Sequence, residues 1–186
     1  GVGAGALTTE LGQNFKINSL VFESGTTTPA SVTINPGALT PTARLEIAPT
    51  SSANGIAITA GGPAAVTIAE ALKLGANQTW NVADTATTLT LSGALQGEAD
   101  VTKSGLGKVI LSAAADPTCN AGVTTGLTVS AGTLEFTNLG ARGTLANSNV
   151  ANVIVNGGGF YFNGAASTIV NPITLGGGTL SAGGGT

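Results

Sequence analysis

The chain has 186 residues, a mass of 17.9 kDa, a net charge of −3 and a mean hydropathy of +0.36. With 42% hydrophobic and only 8% charged residues, its composition is not that of a disordered protein, which combines low hydrophobicity with high charge. Its 29 glycines do not recur at every third position, which excludes a collagen helix, and no apolar run reaches the roughly 18 residues of a membrane-spanning helix.

Short β-strands are predicted along the whole chain. Apolar residues alternate with polar or small ones in runs of three, a period of two that is typical of strands with one buried face. We expect Lys, Glu, Thr and Asn to occupy the outward positions. The runs lie at 15–17, 32–34, 45–47, 56–58, 66–68, 72–74, 80–82, 89–91, 109–111, 127–129, 134–136, 153–155 and 173–175.

One segment also fits a helix. Ala65, Ile68 and Leu72, after Pro63, match the spacing of a helical apolar face. We predict two strands instead, at 66–68 and 72–74, because β-branched residues dominate and the neighbouring runs have the same pattern.

A repeated doublet indicates stacked coils. Three times, a strand is followed seven positions later by a second one across a corner of small residues. The copies begin at Leu127, Val153 and Ile173, so that 26 and then 20 residues separate them (127 to 153, 153 to 173). Sandwiches and barrels also contain many short strands, but coils of unequal length are typical of solenoids. We therefore predict an all-β, right-handed parallel β-helix of roughly seven to nine coils, on the order of 40 Å long.

Three stretches carry a family resemblance. They are LTLSGALQG at 89–97, VTKSGLGKVILS at 101–112 and LTVSAGTLEF at 127–136. Together they resemble the autotransporter-associated β-strand repeat of large bacterial surface proteins, and the match extends to about residue 64. The chain departs from that pattern at 113–123. The resemblance implies a parallel β-helix displayed outside a bacterial cell, without catalytic residues.

Few residues could carry chemistry. Because the chain has no histidine and one cysteine, Cys119, it lacks the parts of a zinc site, a catalytic triad or an internal disulfide. Glu98 and Asp100 could form the carboxylate pair of a glycan hydrolase, but a solvated face is the preferred interpretation. The remaining acids are expected to face outward singly. We expect no metal and no cofactor.

Partners are predicted from charge and aromatic residues. The basic residues are scattered, so neither nucleic acid nor a membrane surface is expected as a partner. Phe160 and Phe162 are expected to pack inward, whereas Tyr161, together with Trp80, is a candidate contact for a sugar or partner protein. The six basic residues are Lys16, Arg44, Lys73, Lys103, Lys108 and Arg142.

The sequence starts at Gly1 without a methionine, and its far end, 176–186, stops in the middle of a repeat without an atypical capping unit. We therefore interpret 1–186 as one solenoid segment, either an excerpt of a longer chain or a subunit. The expected function is that of a non-enzymatic, extracellular structural element. It would be a passenger stalk segment or a fibre subunit that stacks end to end with copies of itself or with flanking repeats. The alternative is an adhesin that binds a glycan or matrix protein through its side loops.

Overall fold

The described part of the chain consists of β-strands joined by short corners. The computed structural model describes residues 5–39, 43–51, 53–97, 99–112, 126–137, 153–163 and 172–183, which form nineteen strands and no helix. The strands are β1 Ala6–Leu11, β2 Phe15–Ile17, β3 Leu20–Phe22, β4 Ser31–Pro36, β5 Arg44–Ile47, β6 Asn54–Ile58, β7 Ala65–Ile68, β8 Ala71–Leu74, β9 Gln78–Val82, β10 Thr88–Leu91, β11 Leu95–Gln96, β12 Val101–Ser104, β13 Lys108–Leu111, β14 Leu127–Val129, β15 Thr133–Phe136, β16 Val153–Val155, β17 Gly159–Phe162, β18 Ile173–Leu175 and β19 Thr179–Ala182.

These strands stack in three sheets. Sheet A has the order β1-β4-β7-β10-β13-β15-β17-β19, sheet B the order β2-β5-β8-β11, and sheet C the order β3-β6-β9-β12-β14-β16-β18. Every pairing between described strands is parallel. The first twelve strands pass through A, B and C in turn, so each coil lies on the one before it. The predicted all-β parallel solenoid is confirmed, and the eight strands of sheet A agree with the predicted number of coils.

The register follows the repeated doublet. In sheet C, Leu127 pairs with Val153 and Val153 with Ile173, the three positions at which the copies begin. In sheet A, Leu134 of the first copy pairs with Phe160 of the second copy, which lies one coil further along the stack. The segment that also fitted a helix forms β7 and β8, as predicted. Residues with similar side chains therefore stack directly, because a parallel pairing in register repeats each position at about 4.8 Å.

The core is built from apolar columns, each made of one residue per coil. Its aromatic part consists of Phe136, Phe160 and Phe162, whose ring centroids lie 5.3 to 6.0 Å apart. Phe136 and Phe160 meet edge to face, which is a favoured arrangement of aromatic rings. The inward packing predicted for Phe160 and Phe162 is confirmed, since they are 1% and 8% exposed.

One lysine lies in the core, contrary to the expectation that lysines face outward. Lys103 pairs with Trp80 on one side and Val129 on the other, and it is 0% exposed. Its Nζ donates to the carbonyl oxygens of Ser104 at 2.6 Å, Gly105 at 2.9 Å and Ala131 at 3.2 Å. Burial lowers the pKa of Lys103 to about 8. Backbone carbonyls thus take the place of the water that a surface lysine would have.

A glycine, Gly132, leaves the space that the buried Lys103 side chain occupies. Gly132 has a φ of +63°, a conformation that side chains with a Cβ rarely adopt. A Cβ at this position would also lie 2.7 Å from Lys103 Nζ. The corner after β14 therefore requires glycine both for its backbone and for the ammonium group beneath it.

Two glutamates expected to face solvent are buried instead. Glu70, in the corner between β7 and β8, is 1% exposed, and burial raises its pKa. Its Oε1 accepts a hydrogen bond from the backbone of Ala71, while Oε2 has no hydrogen-bond partner among the described residues. Glu135, in β15, is 4% exposed and lies under Lys108 and Asn163. For Glu135, the covering side chains come from the coils on either side, Lys108 from the preceding one and Asn163 from the following one.

Candidate binding groove

The outer face of sheet B carries a column of charged residues. Lys16 of β2 pairs with Glu46 of β5, and Glu46 pairs with Lys73 of β8. Gln96 of β11 follows Lys73 in the same column. These residues are 30, 27 and 23 positions apart (16 to 46, 46 to 73, 73 to 96), but coil-on-coil stacking makes them direct neighbours.

The carboxylate of Glu46 bridges the two lysines. Its Oε1 lies 2.8 Å from Lys16 Nζ, and its Oε2 lies 2.8 Å from Lys73 Nζ. These hydrogen bonds from Lys16 and Lys73 hold the pKa of Glu46 below its usual value. The lysine side chains are 69% and 41% exposed, against 18% for Glu46. The ammonium groups therefore form the solvent-facing part of the column.

Arg44 adds a third cation to this face. It lies two positions before Glu46 in β5 and so points to the same side of the sheet. Its Nη1 donates to Gln96 Oε1 at 2.9 Å, and its backbone N–H donates to Asn14 Oδ1 at 3.0 Å. Among the residues that the structure describes, no carboxylate forms a salt bridge with Arg44.

Together these side chains border an open groove of about 360 Å³. Its lining consists of Asn14, Phe15, Lys16, Arg44, Glu46 and Lys73. Three cations and one carboxylate give the groove a net charge of +2, while the whole chain carries −3, so the remaining residues sum to −5. We call these six residues the basic groove.

The expectation of scattered basic residues is therefore wrong for half of them. Lys16, Arg44 and Lys73 meet in the basic groove because coil lengths near 30 residues place them on the same face. Two of the other basic residues, Lys103 and Lys108, are described and lie elsewhere. Lys103 is in the core, and Lys108 pairs with Glu135 on the outer face of sheet A at 2.9 Å.

The two predicted aromatic contacts do not come together. Trp80 lies in the core at 0% exposure, and its Nε1 donates to Gln78 Oε1 at 3.3 Å. A surface contact through Trp80 is incompatible with this position, because the coils above and below enclose the indole. Tyr161 is half-buried on the outer face of sheet A, next to Glu135 in register. A contact through Tyr161 stays a prediction.

The acidic pair predicted from the sequence is described only in part, since Glu98, like Cys119 and Arg142, lies outside the described residues. Asp100 is engaged with Asn77, which donates from Nδ2 to Asp100 Oδ2 at 3.1 Å and accepts the backbone N–H of Asp100 at 2.9 Å. In the described ranges, no group of three or more His, Cys, Asp or Glu residues is placed to hold a metal ion.

Two signals in the sequence could have revealed the buried position of Lys103 and the basic groove. Lys103 lies two positions after Val101, so strict alternation already places both on the same face of β12. The basic groove required an alignment of complete coils, in which 16, 46 and 73 occupy one column. Such an alignment was hidden because the early corners differ in length.

Comparisons of the chain with protein-family models, curated proteins and solved structures find no match. The part of the chain that the structure describes contains no helix long and apolar enough to cross a membrane.

Proposed function

We propose that the chain is a non-enzymatic structural element of a bacterial cell surface, either a stalk segment of a long passenger or a fibre subunit. The observation that carries this proposal is the in-register stacking of eight strands in sheet A. Hydrogen bonds between coils run along the stack, and apolar columns fill its interior, a combination that resists bending and stretching. The resemblance to the autotransporter-associated repeat supports the location outside the cell.

The outermost coils support continued stacking. Leu7 pairs with Val32, and Leu180 pairs with Phe160, yet Leu7 and Leu180 are 54% and 46% exposed while their partners are buried. Among the described strands, β1 and β19 are the two end strands of sheet A, and a further coil in register would cover these leucines. That coil would belong to flanking repeats in a stalk, or to a second copy in a fibre, where head-to-tail contacts propagate without closing.

Intact mass distinguishes the two forms of the proposal. The native protein would be recovered from the cell surface, denatured, reduced and weighed by mass spectrometry. A mass near 17.9 kDa, with filaments in electron micrographs, supports a fibre subunit. A mass several times larger supports a stalk. A protein of this mass that remains monomeric at high concentration, or one found only inside the cell, contradicts the proposal.

A pair of variants tests the fibre form. Leu180→Lys places a charge on the exposed end of the stack and is expected to prevent filaments. Leu106→Lys makes the same change on a side corner, at a leucine that is 63% exposed, and is expected to leave them intact. Loss of filaments in both variants, or in neither, would show that the ends are not the contact.

A further inference from the structure

We propose that the outer face of sheet C adsorbs to ice. This inference goes beyond the structural role proposed above, because it concerns one side of the solenoid and not its ends. It rests on inner strands of the sheet, β9, β12, β14 and β16, each of which has a described strand on both sides. Three features of their outer face carry it, which are regularly spaced polar groups, rigidity and the absence of charge in the described strands.

Threonine residues form a column on this face. Thr79 of β9 pairs with Thr102 of β12, and Thr102 pairs with Thr128 of β14. Ile154 of β16 follows Thr128, and Thr174 of β18 follows Ile154. The first four of these residues alternate with buried ones in their strands and therefore point outward.

A second polar column lies beside the threonines, two positions further along each strand. Asn81 pairs with Ser104, and Ser130 and Asn156 hold the same position in the next two coils. Polar groups thus recur about every 4.8 Å along the stack and about every 6.6 Å along a strand. Oxygen atoms in ice recur at spacings close to both. The polar groups of the two columns can therefore take the places of water molecules at an ice surface.

The array is rigid before anything binds to it. Threonine is β-branched, so its side chain has few rotamers, and stacked threonines in register stabilise one another. The parallel strands beneath them are fixed by the ladder of backbone hydrogen bonds. Adsorption therefore orders few side chains, which keeps its entropic cost low.

In its described strands, the outer face of sheet C has neither a charge nor an aromatic ring. The charged residue of these strands, Lys103, is in the core, and their aromatic residues, Trp80 and Phe22, pack inward. The outer face of sheet A, in contrast, continues from its threonines into Lys108 and Glu135. Because a charged group loses its hydration when it enters a neutral lattice, an uncharged face suits an uncharged occupant such as ice.

Other neutral occupants fit this face less well. Its seven described strands span about 29 Å and three residues of a strand span about 10 Å, which gives an area of about 300 Å². A stable protein interface buries about 800 Å² on each partner and has aromatic or arginine anchors, so a second copy of the chain is disfavoured. A crystalline neutral polysaccharide also has regular repeats, but sugar rings pack best on aromatic side chains.

Freezing experiments on the full chain test this inference. The native chain is expected to give facets to a single ice crystal, to separate its freezing temperature from its melting temperature, and to enter slowly grown ice, which excludes serum albumin. Round crystals without such thermal hysteresis, or exclusion from ice equal to that of albumin, overturn the inference. Binding to powdered cellulose or chitin without activity on ice overturns it as well. None of these results affects the tests of intact mass and filaments.

Variants locate the face. Thr102→Lys and Thr128→Lys each place a long charged side chain in the middle of the threonine column and are expected to lose most of the thermal hysteresis. Thr67→Lys makes the same change on sheet A, at a threonine that pairs with Thr33 and Thr90, and is expected to keep it. Circular dichroism and urea denaturation would first show that all three are folded. Hysteresis retained in both sheet C variants, or lost equally in all three, overturns the assignment to sheet C.

Discussion

Charged residues behave in opposite ways on the outside and the inside of this solenoid. In the basic groove, stacking sets Glu46 between Lys16 and Lys73, and the pKa of its carboxyl group falls. Inside the stack, Lys103 and Glu70 have no charged partner among the described residues. Burial favours the neutral form of each side chain, so it lowers the pKa of Lys103 and raises the pKa of Glu70. The same one-residue-per-coil geometry therefore pairs charges at the surface and desolvates them in the interior.

The largest expected effect of a substitution is in the interior of sheet C. Trp80→Ala is expected to lower the free energy of unfolding by about 3–5 kcal/mol, because it leaves a cavity in a core that neighbouring coils hold open. Thr102→Ala, on the outer face of β12, is expected to change it by less than about 0.5 kcal/mol. Urea denaturation measures the free energy of unfolding of both variants. Similar losses in the two variants would contradict the contrast between inner and outer columns.

A pH dependence is expected from Lys103. Its pKa is about 8 in the folded chain, against an ordinary value of 10.5, so the unfolded chain binds more protons between these values. The free energy of unfolding should therefore rise as the pH increases from 8 to 10.5, by up to about 3 kcal/mol. The measurement is urea denaturation at several pH values, with Lys103→Met as the control that lacks this rise. An identical profile in both proteins would mean that Lys103 is charged in the core at no cost.

Glu70 should give a smaller dependence of opposite sign. Because burial raises the pKa of its carboxyl group, the folded chain retains a proton that the unfolded chain releases at about pH 4.5. The stability contributed by the protonated form is thus present at low pH and is lost as the pH rises through the folded pKa. Thermal denaturation of the native chain and Glu70→Gln, followed from pH 4 to 8, should show this loss in the native chain only.

The smallest effect on stability is expected at the surface. Glu46→Gln removes the carboxylate that pairs with both lysines, and exposed ion pairs contribute about 0.2–1 kcal/mol each. The same change raises the net charge of the basic groove from +2 to +3, so the two lysines, no longer paired, repel each other and the loss of stability should be smaller in high salt. Urea denaturation measured in low and high salt checks both expectations. A loss of stability as large as that of Trp80→Ala would contradict the assignment of Glu46 to the surface.

The sequence predicted the fold well because its signals are local. Alternation within three or four residues identified the strands, and the doublets starting at Leu127, Val153 and Ile173 predicted the register between coils. Those doublets were recognised because the corner inside each of them, at 130–132, 156–158 and 176–178, has the same length. In the first coils, the paired positions Ala6, Ser31 and Ala65 are separated by 25 and then 34 residues (6 to 31, 31 to 65), and no repeat was recognised there.

The basic groove was missed for the same reason. Whether Lys16 meets Glu46 depends on the number of residues in each intervening corner, which alternation within a strand does not reveal. Lys103 was misplaced for another reason. All lysines were expected to face outward, in line with the general preference of lysine for solvent, whereas alternation with Val101 in β12 places Lys103 on the inner face. The three carbonyl groups that accept from its Nζ come from two different coils.

By itself, then, the sequence determined an all-β chain of short strands, glycine-rich corners and inward apolar columns, because each of these depends on neighbours in the chain. The tertiary structure decided which charges lie together and which are enclosed. Only the stacked register brings residues from different coils within about 5 Å of one another, and only complete coils above and below remove water from a side chain. The basic groove and the buried Lys103 are both products of that register.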